Sequence, residues 1–221
     1  EMSLHEDVEQ RNELGSGLED LLRDPERAAK RIAVQMARRN NVGDSTAVRR
    51  GMVRFSVIIV DCSENMNQRD LRPNRLEAAR QAVNTLISDF FDQNPISQIS
   101  IIQISQGKAE KITELSGNGY RHQKLFDEKV LTQNRGLGRG APSLRAGLEE
   151  ALRVLEMQAS YGTREIFVLY GSLSTCDRGD IFDTINRLKA SGVRVNIVGI
   201  AAELFIARSI CKETGGCYEV A

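Results

Sequence analysis

In the stretch "VIIVDCSENM", a β-branched run ends and Asp61, Ser63 and Asn65 follow at every second position. An acid, a hydroxyl and an amide so spaced at a strand end read as half of a divalent-cation site. A hard cation takes oxygen ligands and needs carboxylate charge to offset its dehydration. The same aspartate could instead serve as a phosphoryl-accepting nucleophile. That chemistry wants a second acid for Mg²⁺ and a balancing lysine, but residues 61–65 hold no second Asp and the later loop 171–177 no Lys. His5 falls in an acidic leading segment and His122 in what reads as a surface helix, so neither is placed as a general base. "GLGRGAPS" is glycine-rich but follows no strand pattern and lacks the Lys-Ser/Thr ending of a phosphate-binding loop. No catalytic residue is assigned, and the chain is read as a non-enzyme.

The bulk properties narrow the field further. The 221 residues carry 30 Lys+Arg against 30 Asp+Glu, a formal charge of zero, whereas dedicated nucleic-acid-binding domains are usually strongly basic. No apolar run approaches the roughly 20 residues of a membrane span, and the first residues are acidic rather than basic-then-apolar as in a secretory leader. No membrane contact is expected. Cys62, Cys176, Cys211 and Cys217 form no CxxC pair, which argues against a zinc site or a disulfide framework and for a reducing compartment.

The elements that must position Asp61 follow from periodicity. Residues 1–50 read as an acidic then basic amino-terminal extension, partly helical, and residues 51–221 as one domain. "MVRFSVIIV" is nearly continuous in apolar residues towards its end, as in a strand covered on both faces. "PNRLEAARQAVNTLISDFF" predicts a helix opened by Asn74 and Glu77, with Leu76, Ala79, Val83, Leu86, Ile87 and Phe90 on one stripe. "QISIIQIS" and "KITELS" read as a hairpin about the turn "QGKAE". Further helices are predicted over "YRHQKLFDEKVL", "SLRAGLEEALRVLEMQA", "DIFDTINRLKASG" and "LFIARSICKETGG", and strands over "REIFVLY", "VRVNIVGI" and "CYEV". Strand–helix alternation of this kind predicts an α/β fold: a doubly wound, mostly parallel central sheet with one antiparallel hairpin strand and helices on both faces. Ligands of such sheets bind outside the carboxyl ends of the strands, where "DCSEN", "GRGAPSL" and "YGSLSTCD" should converge.

That convergence resembles the von Willebrand factor A-type domain. Its metal-ion-dependent adhesion site takes D-x-S-x-S from a first loop, a Thr from a second and an Asp from a third. Here Asp61 and Ser63 match, and Asn65 replaces the last serine, its amide oxygen still able to ligate. Pro142 and Ser143 stand in the second loop, where Ser143 is equally the cap of the helix behind it. Gly171 and Ser172 stand where the third-loop Asp belongs. The nearest acid, Asp177, is explained as a cap of the helix that Asp180 opens. Asp61, Ser63, Asn65, Ser143 and Ser172 are therefore read as the positions of a degenerate metal site holding no metal, with Asp61 accepting hydrogen bonds instead.

A narrower resemblance rests on "RRGMVR", "DLRPNRL", "FFDQNPISQI", "ITELSGN", "PSL", "YGSLSTCD", "RVNIVGIAAE" and "KETGG", spread over residues 49–220. These are similar to the A-type subunit of the transcription and DNA-repair factor TFIIH. Arg178 departs from that family, which usually places proline just after "CD". The resemblance implies a nuclear, non-catalytic scaffold that docks on the XPD-type helicase and stimulates it, and that touches other TFIIH core subunits. It acts in transcription initiation and nucleotide excision repair. The family's cysteine-rich zinc modules are not represented here, so no cofactor is expected.

Docking is expected through Leu173, Ser174, Thr175 and Cys176, between a buried strand and the next helix. Leu173 is apolar where a metal-site loop would be polar, although packing against Ile181 would also account for it. Thr175→Arg is expected to abolish binding with little loss of stability. Two rival readings are carried forward. One is a metal-dependent ligand binder using Asp61 and Ser63. The other is DNA contact through the basic arm, with Lys30, Arg31, Arg38 and Arg39.

Overall fold

The computed structural model describes residues 53–133, 137–159 and 161–220, so the amino-terminal extension and its basic residues lie outside the described residues. Strand β1 (Arg54–Asp61) shows why the sheet is central. Phe55, Val57 and Ile59 enter one core while Ile58 and Val60 enter the other, the period of two expected when both faces are covered. Helix α1 (Arg75–Gln93) leads to β2 (Gln98–Ser105), which turns back as β3 (Lys108–Ser116). Helix α2 (Gly119–Glu128) and a π turn (Lys129–Gln133) follow, then α3 (Leu144–Glu156) and β4 (Thr163–Tyr170). Helix α4 (Ile181–Ala190), β5 (Arg194–Gly199), α5 (Phe205–Thr214) and β6 (Tyr218–Val220) complete the chain.

The six strands lie in the order β3-β2-β1-β4-β5-β6, with β2 and β3 antiparallel and every other pair parallel. This is the doubly wound sheet expected from the alternation. Helices α1 and α2 close one face through Leu76, Val83, Ile87, Phe90 and Phe126. Helices α3, α4 and α5 close the other, where Leu144, Leu148, Leu152 and Leu155 are all fully buried. The chain leaves β1 towards β2 on one side and later returns to place β4 on the other. The topological switch therefore lies between the ends of β1 and β4, at Asp61 and Gly171.

Two details differ from expectation. The hairpin turn is Gln106–Gly107 alone, both at positive φ (52° and 68°), and Lys108, Ala109 and Glu110 already belong to β3. A two-residue turn with positive φ at both positions matches the twist of antiparallel strands, and the charged residues blunt an edge strand. His122 is not on a surface but buried, 1% exposed, against an irregularity in the β2–β3 pairing. There the Ile101 amide donates to Thr113 Oγ1 (2.9 Å) instead of to a backbone carbonyl, and His122 Nδ1 lies 2.8 Å from that same hydroxyl. His122 Nε2 lies 2.9 Å from the Ser116 hydroxyl and 3.1 Å from the Ser116 carbonyl, so both ring nitrogens have hydrogen-bond partners.

Burial holds the His122 pKa below its ordinary value, and nearby Arg121 adds to the effect, while the bond to Ser116 opposes it. The unfolded chain then binds a proton near pH ~6.5 that the folded chain resists, so stability is full above that pH and falls as pH drops below it. Urea midpoints should decline from pH 7.5 to pH 5 for the native sequence. In His122→Gln that part of the slope should disappear.

Candidate functional site

Asp61 ends β1 with no solvent exposure. A buried carboxylate must be met by donors, and three meet it. The Ser63 amide donates to Oδ1 at 2.9 Å, and the Gly171 amide (3.1 Å) and Ser172 hydroxyl (2.8 Å) donate to Oδ2. Ser172 gives its one proton to Asp61, so it accepts from Ser63 Oγ at 2.9 Å and from Asn65 Nδ2 at 3.1 Å. Ser63 Oγ and Asn65 thus reach the carboxyl group through Ser172. Burial nevertheless lifts the Asp61 pKa above the usual carboxylate range, with the bonds from Ser63, Ser172 and Gly171 drawing it part of the way back.

Four of the five expected positions thus converge: Asp61, Ser63, Asn65 and Ser172. Ser143 does not join them. Its hydroxyl donates to Asp177 Oδ1 (2.7 Å) and accepts from the Ala146 amide (3.2 Å), capping α3. Asp177 serves the same helix, accepting from the Arg145 amide at 2.9 Å, while Asp180 alone caps α4 through the Phe182 amide. The expectation that Asp177 belongs to α4 is corrected accordingly: the loop folds back so that its acid meets the preceding helix in the sequence.

The cluster does not suit a hard divalent cation. It offers one carboxylate, both of whose oxygens are engaged, and Asn65 presents its amide nitrogen rather than the oxygen expected to ligate. Nor is there room for the missing acid. A Cβ on Gly171 would lie 2.1 Å from Sδ of Met66, a wholly buried residue with little freedom to withdraw. Among the described residues, no group of three or more His, Cys, Asp or Glu side chains is placed to hold a metal.

The second loop closes over the first by backbone contact. Arg139 N donates to the Cys62 carbonyl (2.9 Å), Glu64 N to the Gly140 carbonyl (2.8 Å), and the Asn67 side chain both donates to and accepts from Gly138. A Cβ on Gly138 would stand 1.8 Å from the Ser63 carbonyl oxygen, so only glycine permits this approach.

The third loop is tied down at almost every residue. Arg75 Nη1 donates to the Gly171 carbonyl at 2.9 Å while its Nε reaches both oxygens of Asp70, bracing the loop against the start of α1. Tyr170 Oη donates to the Ser174 carbonyl (2.8 Å), Thr175 Oγ1 accepts from the Leu144 amide (2.9 Å), and Cys176 N donates to the Pro142 carbonyl (2.8 Å). Leu173 is left 61% exposed on top of this framework. It is therefore not consumed by packing on Ile181. Ser174 and Cys176 are also exposed, but Thr175 is half-buried and structural. Thr175→Arg is then no clean surface probe, because it removes the acceptor for the first amide of α3.

Sequence reasoning passed over Arg75, Asn67, Tyr170 and Met66. Arg75 did carry a signal: a cation opens a helix, where the helix dipole disfavours it, which marks a side chain committed elsewhere.

Taken together, the sheet order and the three rim loops define a von Willebrand A-type fold. The crystal structure of the SpRpn10 VWA domain superposes with a TM-score of 0.60 at 21% identity, covering 76% of this chain and 86% of that one. The family is narrower: residues 59–221 match the Ssl1-like family model, and the chain belongs to that family. It is 42% identical over 173 residues to general transcription factor IIH subunit 2 of Dictyostelium discoideum, covering 78% of this chain and 36% of the relative. It is 39% identical over 178 residues to the general transcription and DNA repair factor IIH subunit ssl1 of Schizosaccharomyces pombe, covering 80% of this chain and 41% of the relative. The match thus spans roughly two fifths of these curated relatives.

Truncating Asp61 to alanine would strand the Gly171 and Ser63 amides and the Ser172 hydroxyl. A loss of about 2–4 kcal/mol is expected by denaturant unfolding, since each stranded buried donor costs about 1–3 kcal/mol and the released Ser172 can partly rebond.

Proposed function

We propose that this chain is a non-catalytic scaffold unit of TFIIH, in the nucleus, which docks on an XPD-type DNA helicase and stimulates it in transcription initiation and nucleotide excision repair. It would also contact other core subunits of that assembly. One observation carries the reading: in a chain of the Ssl1-like family, the third rim loop is immobilised by bonds at Gly171, Ser172, Ser174, Thr175 and Cys176, and presents an unpartnered leucine. A contact already held in one shape loses little freedom when a partner arrives. An apolar side chain on such a pedestal is suited to fill a partner's pocket. Leu173, Ser174 and Cys176 are the residues exposed for contact, with Thr175 shaping the loop from below. Stimulation further requires that the partner be bound better in its competent state than in its other states.

The direct test is Leu173→Arg in a pull-down and an unwinding assay with the purified helicase. Binding should weaken about 30-fold or more, the equivalent of an anchor worth ~2 kcal/mol, while the melting temperature is unchanged. Thr175→Arg should also impair binding, but with a loss of about 1–2 kcal/mol in stability as a helix cap is removed. Wild-type binding by Leu173→Arg would take the loop out of the interface.

Cation titration separates this reading from the ion-dependent one. Millimolar Mg²⁺ or Mn²⁺ should leave the melting temperature where it is. A rise by linkage would restore a metal-dependent ligand binder built on Asp61 and Ser63.

A further inference from the structure

The exposed leucine of the third loop has a counterpart. Leu137, in the second loop, is 52% exposed. Both leucines sit beside residues that touch Ser63: Gly138 lies against its carbonyl, and Ser172 is 2.9 Å from its hydroxyl. Loops two and three thus each carry an exposed leucine one residue from a contact with the same buried serine of loop one. Both are mounted rigidly, Leu137 by the paired amide bonds between Gly138 and Asn67.

The charge on the first two loops is one-sided, while the third carries Asp177, spent on the cap of α3, and Asp180, spent on the cap of α4, against Arg178. The first and second loops, residues 62–74 and 137–143, hold Arg69, Arg72 and Arg139, all exposed, against Glu64 and Asp70. Asp70 is committed to Arg75, the first residue of α1. No guanidinium of the three exposed arginines pairs with a carboxylate among the described residues. Arg139 follows Leu137 by two residues, and Arg72 precedes by three the Arg75 that grips the Gly171 carbonyl. Glu64 is the one acid of these loops left to oppose them.

We infer that the carboxyl rim of the sheet is a composite docking surface, two leucine anchors bordered by Arg69, Arg72 and Arg139, whose partner presents an acidic protein face around apolar sockets. This rests on the docking reading above and adds the chemistry of the surface that meets it. Arginine suits the border because its planar fork binds carboxylates in pairs and keeps its charge at any physiological pH. Acidic residues opposite would steer the encounter, while the leucines hold the complex once it has formed. The two parts therefore act on different rate constants, which makes them separable.

The experiment measures association and dissociation of the chain with the purified XPD-type helicase from 50 to 300 mM salt, for the native sequence, Arg69→Glu/Arg72→Glu, Arg139→Glu and Leu173→Arg. A parallel titration uses single-stranded and duplex DNA. The double reversal should slow association at least tenfold at 50 mM salt, flatten its salt dependence and leave the melting temperature unchanged. Leu173→Arg should chiefly speed dissociation. If the arginine variants associate as the native sequence does while Leu173→Arg fails to bind, the acidic partner face is overturned and the docking reading stands. If all variants bind normally, both fall. If the arginine variants lose DNA binding and keep helicase binding, the arginines serve a phosphate backbone and the inference is likewise overturned.

Discussion

A carboxylate with no access to water governs the shape of this rim. Asp61 stands where β1 ends and β4 lies alongside, so whatever satisfies it must come from the loops leaving those two strands. Ser63 answers from the first, Gly171 and Ser172 from the second. Leaving any of them unmet would cost more than a typical hydrogen bond contributes, because the buried group would lose water without replacement. Two of the three rim loops are therefore tied to one buried carboxyl group, and the second joins them through its backbone bonds to Cys62 and Glu64.

Metal-binding members of this fold class tie the same loops together through an ion. At this rim protein donors meet Asp61, and the residues around it are consistent with one another. Glycine at 171 clears space for Met66, and Met66 removes the room an aspartate would need. Asn65 turns a nitrogen inward, which suits Ser172 as an acceptor and would suit a cation poorly. Arg75 adds a positive brace from outside, holding Gly171 and Asp70 at once.

Much of this was legible in the sequence because it depends on local pattern. The nearly continuous apolar run in "RFSVIIVD", the leucines of α3, the Asn74 cap and the glycines Gly192 and Gly215 after two helices each act within a few residues, and each matches the fold. The spacing that sets Asp61, Ser63 and Asn65 on one loop was legible too, and the three do gather with Ser172. What was not legible depends on which loops meet. Asp177 sits three residues before Asp180 and looks like part of the same cap, yet it serves α3, more than thirty residues back. His122 lies in a polar helix and looks solvated, but the strand irregularity at Thr113 creates a demand for it that no periodicity announces. Neither partner is near in sequence, so neither could be inferred from spacing.

Thr175 shows how this bears on function. A hydroxyl in an exposed-looking loop between two candidate contact residues reads as part of a binding surface. Its oxygen is in fact spent on the Leu144 amide, and through that bond it sets where the loop crosses the start of α3. A substitution there changes the shape of the pedestal and the side chain offered at once, so a loss of binding could not be assigned to either. Among the described residues, Leu173, two residues earlier, makes no such bond to the rest of the domain and stands 61% exposed. In a loop this heavily constrained, the informative position is the one the fold leaves unused.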